Sequence, residues 1–220
     1  VEVVILSGGE TAKRRQEIIE RWQQVKVNSS LQERADILEE WLKLEPNYLF
    51  LLNKITSIMI KLGRIDKAEE YQRRAEELNP QDKYVLGNKL DICMRKKNFE
   101  MAERLCKKAI QENKAGSYDV LTLANIYYIQ GRYALAEEVL LQYSDRFVGR
   151  HVISRDLKLV EIYIKIGEYD KAEQLLQEVK MTDKDNNYIS KINCELTWIE
   201  MHRGNFDKAR EIIETQEPKD

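Results

Sequence analysis

Few residues of this chain combine the types and spacing that catalysis needs. Gly8-Gly9-Glu-Thr-Ala-Lys13 has the glycines and lysine of a phosphate-binding loop. Its glycine–lysine spacing is wrong, and no serine or threonine follows the lysine to hold a metal, so a turn opening a helix is expected instead. His151 and His202 are the two histidines, and neither sits in a cysteine or carboxylate pattern that would hold a metal ion. Cys93, Cys106 and Cys194 also lack metal-ligand spacing. They are expected to be small buried apolar residues in a reducing compartment, with a Cys93–Cys106 disulfide left open. No catalytic residue, metal or cofactor is expected.

The elements around these residues are helical. Apolar residues make up 43% and charged residues 34%, with 9 Gly and 3 Pro, a balance rich in helix formers and poor in breakers. Net charge is −2, and basic clusters such as Lys13-Arg-Arg15 are short, which argues against a nucleic-acid partner. The longest apolar stretch, Tyr48 to Leu62, is interrupted by Asn53 and Lys54 and is too short to span a bilayer, so no membrane insertion is expected. Residues 1–6 lack the basic start and length of a signal peptide, which points to the cytoplasm.

Helices are expected over 11–27, 31–44, 48–61, 66–78, 82–95, 100–112, 117–129, 134–146, 152–165, 170–180 and 187–202, with a last one carrying Ala209 and running to about 216, and with Thr11 or Ser7 capping the first. The turns at Gly63, Lys97, Gly131, Gly167 and Gly204 are 34, 34, 36 and 37 residues apart. Two residues after each comes Ile65, Phe99, Tyr133, Tyr169 or Phe206, expected to wedge the turn. Five residues after each comes alanine: Ala68, Ala102, Ala136, Ala172, Ala209. A side chain that small lets two helices of a hairpin approach closely.

Five such matches in register, typified by Gly63-Arg-Ile-Asp-Lys-Ala68 and its closing Asn79-Pro80, resemble the tetratricopeptide repeat, whose period is 34 residues. The resemblance covers roughly residues 30–216 and, more loosely, 11–216. It implies an all-α fold, a right-handed α-solenoid: an extended tail over 1–10, a degenerate first repeat over 11–46, and five repeats over 47–220 forming one continuous superhelical domain. Departures are Lys97 in place of a turn glycine and the loss of the second small residue after Ala109, at Tyr143 and Val179. The last repeat ends without a polar capping helix, so a piece of a longer chain, or packing against something there, is expected.

The resemblance also implies a site. First helices of such repeats line a concave groove, and the stripe counted back from each turn includes Phe50, Asn53 and Ile60; Tyr84, Asp91 and Met94; Tyr118, Leu121, Asn125 and Tyr128; Leu157, Glu161 and Ile164; and Trp198. The core should take Leu52, Ile55, Met59, Ile92, Leu123, Ala124, Tyr127, Leu159, Ile162 and Tyr163. Tyrosine and tryptophan offer contact area at low entropic cost, and asparagine can both donate to and accept from a peptide backbone. The expected function is a non-enzymatic scaffold or adaptor holding a peptide or helix of a partner protein. With few cations and with Asp91 and Glu161 in the stripe, an apolar ligand carrying a basic group fits best. Alternatives are the regulatory region of a larger transcription regulator or transferase, and, less well supported, an RNA-binding helical repeat. Self-association through the open ends, or through residues 1–6 lying in a groove, is a further expectation.

Overall fold

A computed structural model of the protein describes residues 8–25 and 29–214. Residues 1–7 of the expected extended tail, including the Ser7 cap, and the helix end beyond 214 lie outside the described residues, whereas residues 8–10 of that tail are not extended but open α1. Among the described residues there are twelve α-helices and no strand. They are α1 (Gly8–Gln24), α2 (Leu31–Leu44), α3 (Leu49–Lys61), α4 (Ile65–Leu78), α5 (Lys83–Arg95), α6 (Phe99–Gln111), α7 (Ser117–Ile129), α8 (Tyr133–Gln142), α9 (Arg150–Ile166), α10 (Tyr169–Thr182), α11 (Ile189–His202) and α12 (Phe206–Glu214). The architecture is all-α, an α-solenoid of helix hairpins. It divides into two compact units, 1–102 and 103–220. None of the described helices is long and apolar enough to cross a membrane.

Two expectations about boundaries are corrected. Thr11 does not cap α1, because the helix already begins at Gly8. Helix α8 stops at Gln142, and Ser144–Arg146 tightens into a 3₁₀ turn that turns Phe147 into the core at 5% exposure.

The hairpin turns share one hydrogen-bond pattern. Arg64 N donates to Met59 O at 2.9 Å, Asn98 N to Cys93 O at 2.9 Å, Arg132 N to Tyr127 O at 2.8 Å, Glu168 N to Tyr163 O at 2.9 Å and Asn205 N to Glu200 O at 2.9 Å. This six-to-one bond closes a helix through a left-handed residue. Gly63 supplies it at φ 73°, and Lys97 adopts the same conformation at φ 57°. The hydrogen bonds are kept at Lys97, so the missing glycine costs backbone strain and leaves the turn itself unchanged.

In unit 1 the core gathers Ile18, Leu38, Leu52, Ile55 and Met59, with Ala68 fully buried where α4 meets α3. In unit 2 one cluster holds Leu157, Val160, Leu176, Ile192 and Ile199, with Ala172 fully buried between α9 and α10. The expected core residues are buried, except that Tyr163 is half-buried and donates its hydroxyl to Glu137 at 3.0 Å. Phe206 does not wedge its turn and is 66% exposed. Cys93, Cys106 and Cys194 form no disulfide among the described residues, with Cys93 and Cys106 buried and Cys194 exposed.

A second repeat feature escaped the sequence reading. A glutamate six residues after each of four turns meets the hairpin that follows. Glu69 accepts from Lys96 at 2.8 Å in unit 1. In unit 2, Glu103 accepts from Tyr127 at 3.3 Å, Glu137 from Tyr163, and Glu173 from Arg203 at 2.6 Å. Burial and the neighbouring carboxylate push the Tyr163 hydroxyl up to about 12.

Candidate functional site

Each unit presents its own stripe of first-helix side chains. In unit 1 the stripe lies on α3 and α5. Phe50 is 44% and Tyr84 61% exposed, and each carries a lysine over its ring, Lys54 at 5.5 Å and Lys83 at 4.9 Å. Asp91 and Met94 are half-buried. Asn53 and Ile60 do not face outward: they are 9% and 4% exposed. Asn53 donates to Asp82 Oδ1 at 3.1 Å and its carbonyl accepts from Asn88 Nδ2 at 3.1 Å, so it joins α3 to α5 from inside. The same Asp82 carboxylate caps α5 through the amides of Tyr84 and Val85. The outward residues of α3 are Phe50, Lys54, Ser57 and Lys61, so Lys54 and Lys61 stand outward one position on from the expected Asn53 and Ile60.

In unit 2 the stripe runs over α7, α9 and α11. Tyr118 is 46% exposed, while Leu121, Asn125 and Tyr128 are half-buried. On α9 the expected stripe is again shifted. Leu157 and Ile164, at 4% and 7% exposure, belong to the core, and Lys158 and Lys165 take their places beside Glu161. On α11, Trp198 is 41% exposed and stacks on His202 with ring centroids 3.5 Å apart.

These side chains form a connected polar face. Lys158 donates to Glu161 and to Asn125 Oδ1 at 3.2 Å, and its ammonium lies 4.8 Å from the centroid of the Tyr128 ring. Lys191 reaches across from α11 to Glu161 at 2.7 Å. Burial pushes the Glu161 carboxyl up, but the hydrogen bonds and charges of Lys158 and Lys191 outweigh it and hold the group below the ordinary glutamate value. Tyr133 packs edge-on against Tyr128 at 5.5 Å. The face offers half-buried aromatic surface, one amide and fixed charges, which suits recognition. Among the described residues no cluster of histidine, cysteine and carboxylate side chains could hold a metal ion.

Residues 53–82 and 157–187 each match models of the tetratricopeptide repeat. Both stretches are tetratricopeptide repeats. The first match spans most of α3, the Gly63 turn and α4, and the second spans the Gly167 turn and its flanking helices, so each unit holds one matched repeat. Nothing among curated proteins matches the sequence.

Solved structures of similar fold include PilW, a widely conserved type IV pilus biogenesis factor, at a TM-score of 0.70 and 17% identity, covering 94% of this chain and 91% of PilW. A thermophilic tetratricopeptide-repeat protein of Thermus thermophilus gives 0.67 and 18%, covering 83% of this chain and 98% of its own. YrrB, a tetratricopeptide-repeat protein with an unusual peptide-binding site, gives 0.55 and 12%, covering 82% of this chain and 90% of its own. At these identities the tetratricopeptide-repeat architecture is what is shared.

Proposed function

We propose that the protein is a non-catalytic interaction scaffold whose unit 2 holds a peptide segment or helix of a partner protein on the stripe of α7, α9 and α11. The observation that carries this reading is aromatic surface left outside a core that is already filled. Leu123, Ile126, Leu157 and Ile162 pack inward on α7 and α9, while Tyr118, Tyr128 and Trp198 remain partly open to solvent. Tyr128 packs on Tyr133 and Trp198 on His202, yet part of each ring stays exposed, and interface anchors are most often residues of these types. Asn125, with its amide nitrogen free while Lys158 holds its oxygen, can donate to a peptide carbonyl. YrrB, which shares the architecture, is described by its peptide-binding site, which supports the same use of the fold here.

The test is an array of short acetylated peptides of randomised sequence, probed with the protein and with an Asn125→Ala/Tyr128→Ala variant. Binding should fall about tenfold or more in the variant, as expected when an interface anchor is truncated, with helicity by circular dichroism unchanged. Equal binding by both proteins refutes the assignment of this face.

A further inference from the structure

The unit 2 face carries two carboxylates, and their surroundings differ. Glu161 accepts from both Lys158 and Lys191. Lys158 is committed further, to Asn125 and to the face of Tyr128. A third lysine, Lys165, lies over the Trp198 ring, 5.7 Å from its centroid. Glu195 is left over. It stands on α11 four residues after Lys191, which is within helical pairing distance. Lys191 nevertheless turns to Glu161, and none of the described residues hydrogen-bonds to Glu195 or comes within ion-pair distance of it.

This carboxylate is half-buried and shares its surroundings with Tyr128, whose hydroxyl is pushed up by burial and by the charges of Glu161 and Glu195, among others. Burial and then the Glu161 charge raise the Glu195 carboxyl above the ordinary glutamate value, despite the pull of Lys191, Lys158 and Lys165. Withdrawing a carboxylate from water without a donor is costly, and the cost is relieved by any cation that docks beside it. Lys158 and Lys191 are turned to Glu161 and the Lys165 ammonium lies over the Trp198 ring, so none of the three is bonded to Glu195. The acidic stripe residue to which the sequence assigned a basic ligand group, Glu161, is therefore already neutralised, and the open acceptor lies one helix further on.

We propose that Glu195 recognises a lysine or arginine side chain of the partner segment bound on this face. The inference rests on the peptide-binding reading above and names the chemistry of its partner. An incoming ammonium or guanidinium supplies the donor that Glu195 lacks, and its apolar stem can lie along the half-buried aromatic surface of Tyr128. A guanidinium would add a bidentate contact and stacking on the ring, so arginine should be preferred over lysine.

The experiment uses the same randomised peptide array with four proteins: wild type, Glu195→Gln, Glu195→Lys and Asn125→Ala/Tyr128→Ala. Circular dichroism checks that each is folded, and glutamine keeps the shape of the side chain should lysine disturb it. Wild type should select peptides with arginine or lysine at one position. Glu195→Gln should weaken those peptides about tenfold, in line with loss of a partly buried charge pair. Glu195→Lys should select aspartate or glutamate at that position instead. A basic preference that persists in both Glu195 variants overturns the inference, and so does undiminished binding by Glu195→Gln, which would mean that a neutral acid donates to the peptide backbone. Selection without any charge preference overturns it too, while leaving peptide binding in place. No peptide bound by wild type, or equal binding by the Asn125→Ala/Tyr128→Ala protein, overturns the peptide-binding reading itself.

Discussion

Replacing Lys158 by methionine isolates the charge at the centre of the unit 2 face. Methionine keeps most of the apolar stem, so little packing is lost, while the bonds to Glu161 and Asn125 and the contact with Tyr128 disappear. The side chains of Lys158 and Glu161 are 16% and 22% exposed, so the pair is better shielded from water than a fully exposed one. Exposed pairs contribute about 0.2–1 kcal/mol. Hydrogen bonds to charged groups contribute about 1.5–3 kcal/mol. Glu161 keeps Lys191 in the variant, so a loss between those ranges, about 1–2 kcal/mol, is expected near neutral pH. The loss should depend on pH. The native carboxyl titrates below its unfolded value, so its contribution is present above about pH 4.3 and disappears as pH falls through the lower native value. Urea unfolding of both proteins, followed by circular dichroism from about pH 7 down to about pH 3, measures the gap across that window. A gap of the same size at both ends would refute the electrostatic account and assign the effect to packing. A gap near zero at neutral pH would mean that desolvation of the ammonium cancels its bonds.

Other outcomes follow from the same structure. Gly131→Ala forces an alanine into φ 73° with no neighbour in its way, so backbone strain alone should cost about 1 kcal/mol in thermal unfolding. Lys97→Gly at φ 57° should be neutral or gain up to about 1 kcal/mol in the same assay. Leu176→Ala, at a fully buried position, should lose about 2–5 kcal/mol in urea unfolding. Trp198→Ala should leave stability within about 1 kcal/mol, since the ring is 41% exposed, but weaken array peptides about tenfold. Burial first, and then their glutamate partners, push Tyr71 and Tyr163 up to about 12. Stability that these neutral phenols supply is full below about pH 10 and is lost as pH rises through the native values, so ultraviolet titration should show Tyr71 and Tyr163 among the late-ionising tyrosines.

The helices were legible because one local rule repeats: a left-handed turn, then a small residue five positions on. That rule depends only on neighbours in sequence, and Lys97 shows that it survives the loss of the glycine. The phase of each first helix was less legible. Counting back from the turn left the expected stripe residues of α5, α7 and α11 half-buried or exposed but placed Asn53, Ile60, Leu157 and Ile164 on the outer face, where the structure buries all four. Asn53 is held inside by Asp82 and Asn88, which lie at and within the next first helix, and Leu157 by the unit 2 core, contacts that no local period encodes. The polar face itself depends on partners 33 residues apart, Lys158 with Asn125, and 30 apart, Lys191 with Glu161. Glu195 became notable only once those pairings left it without a donor.

The glutamate that follows four of the five turns bears on how such a chain can change length over generations. In unit 2, Glu103 meets Tyr127 and Glu137 meets Tyr163, the same donor type offered from the same place in the next hairpin. A gene segment duplicated in register at those glutamates would carry a matching acceptor at one cut and a matching donor at the other. Such an insertion inherits working joints, whereas one out of register would set carboxylates against apolar surface and be lost. In-register duplication would therefore preserve the glutamate–tyrosine contact between successive hairpins.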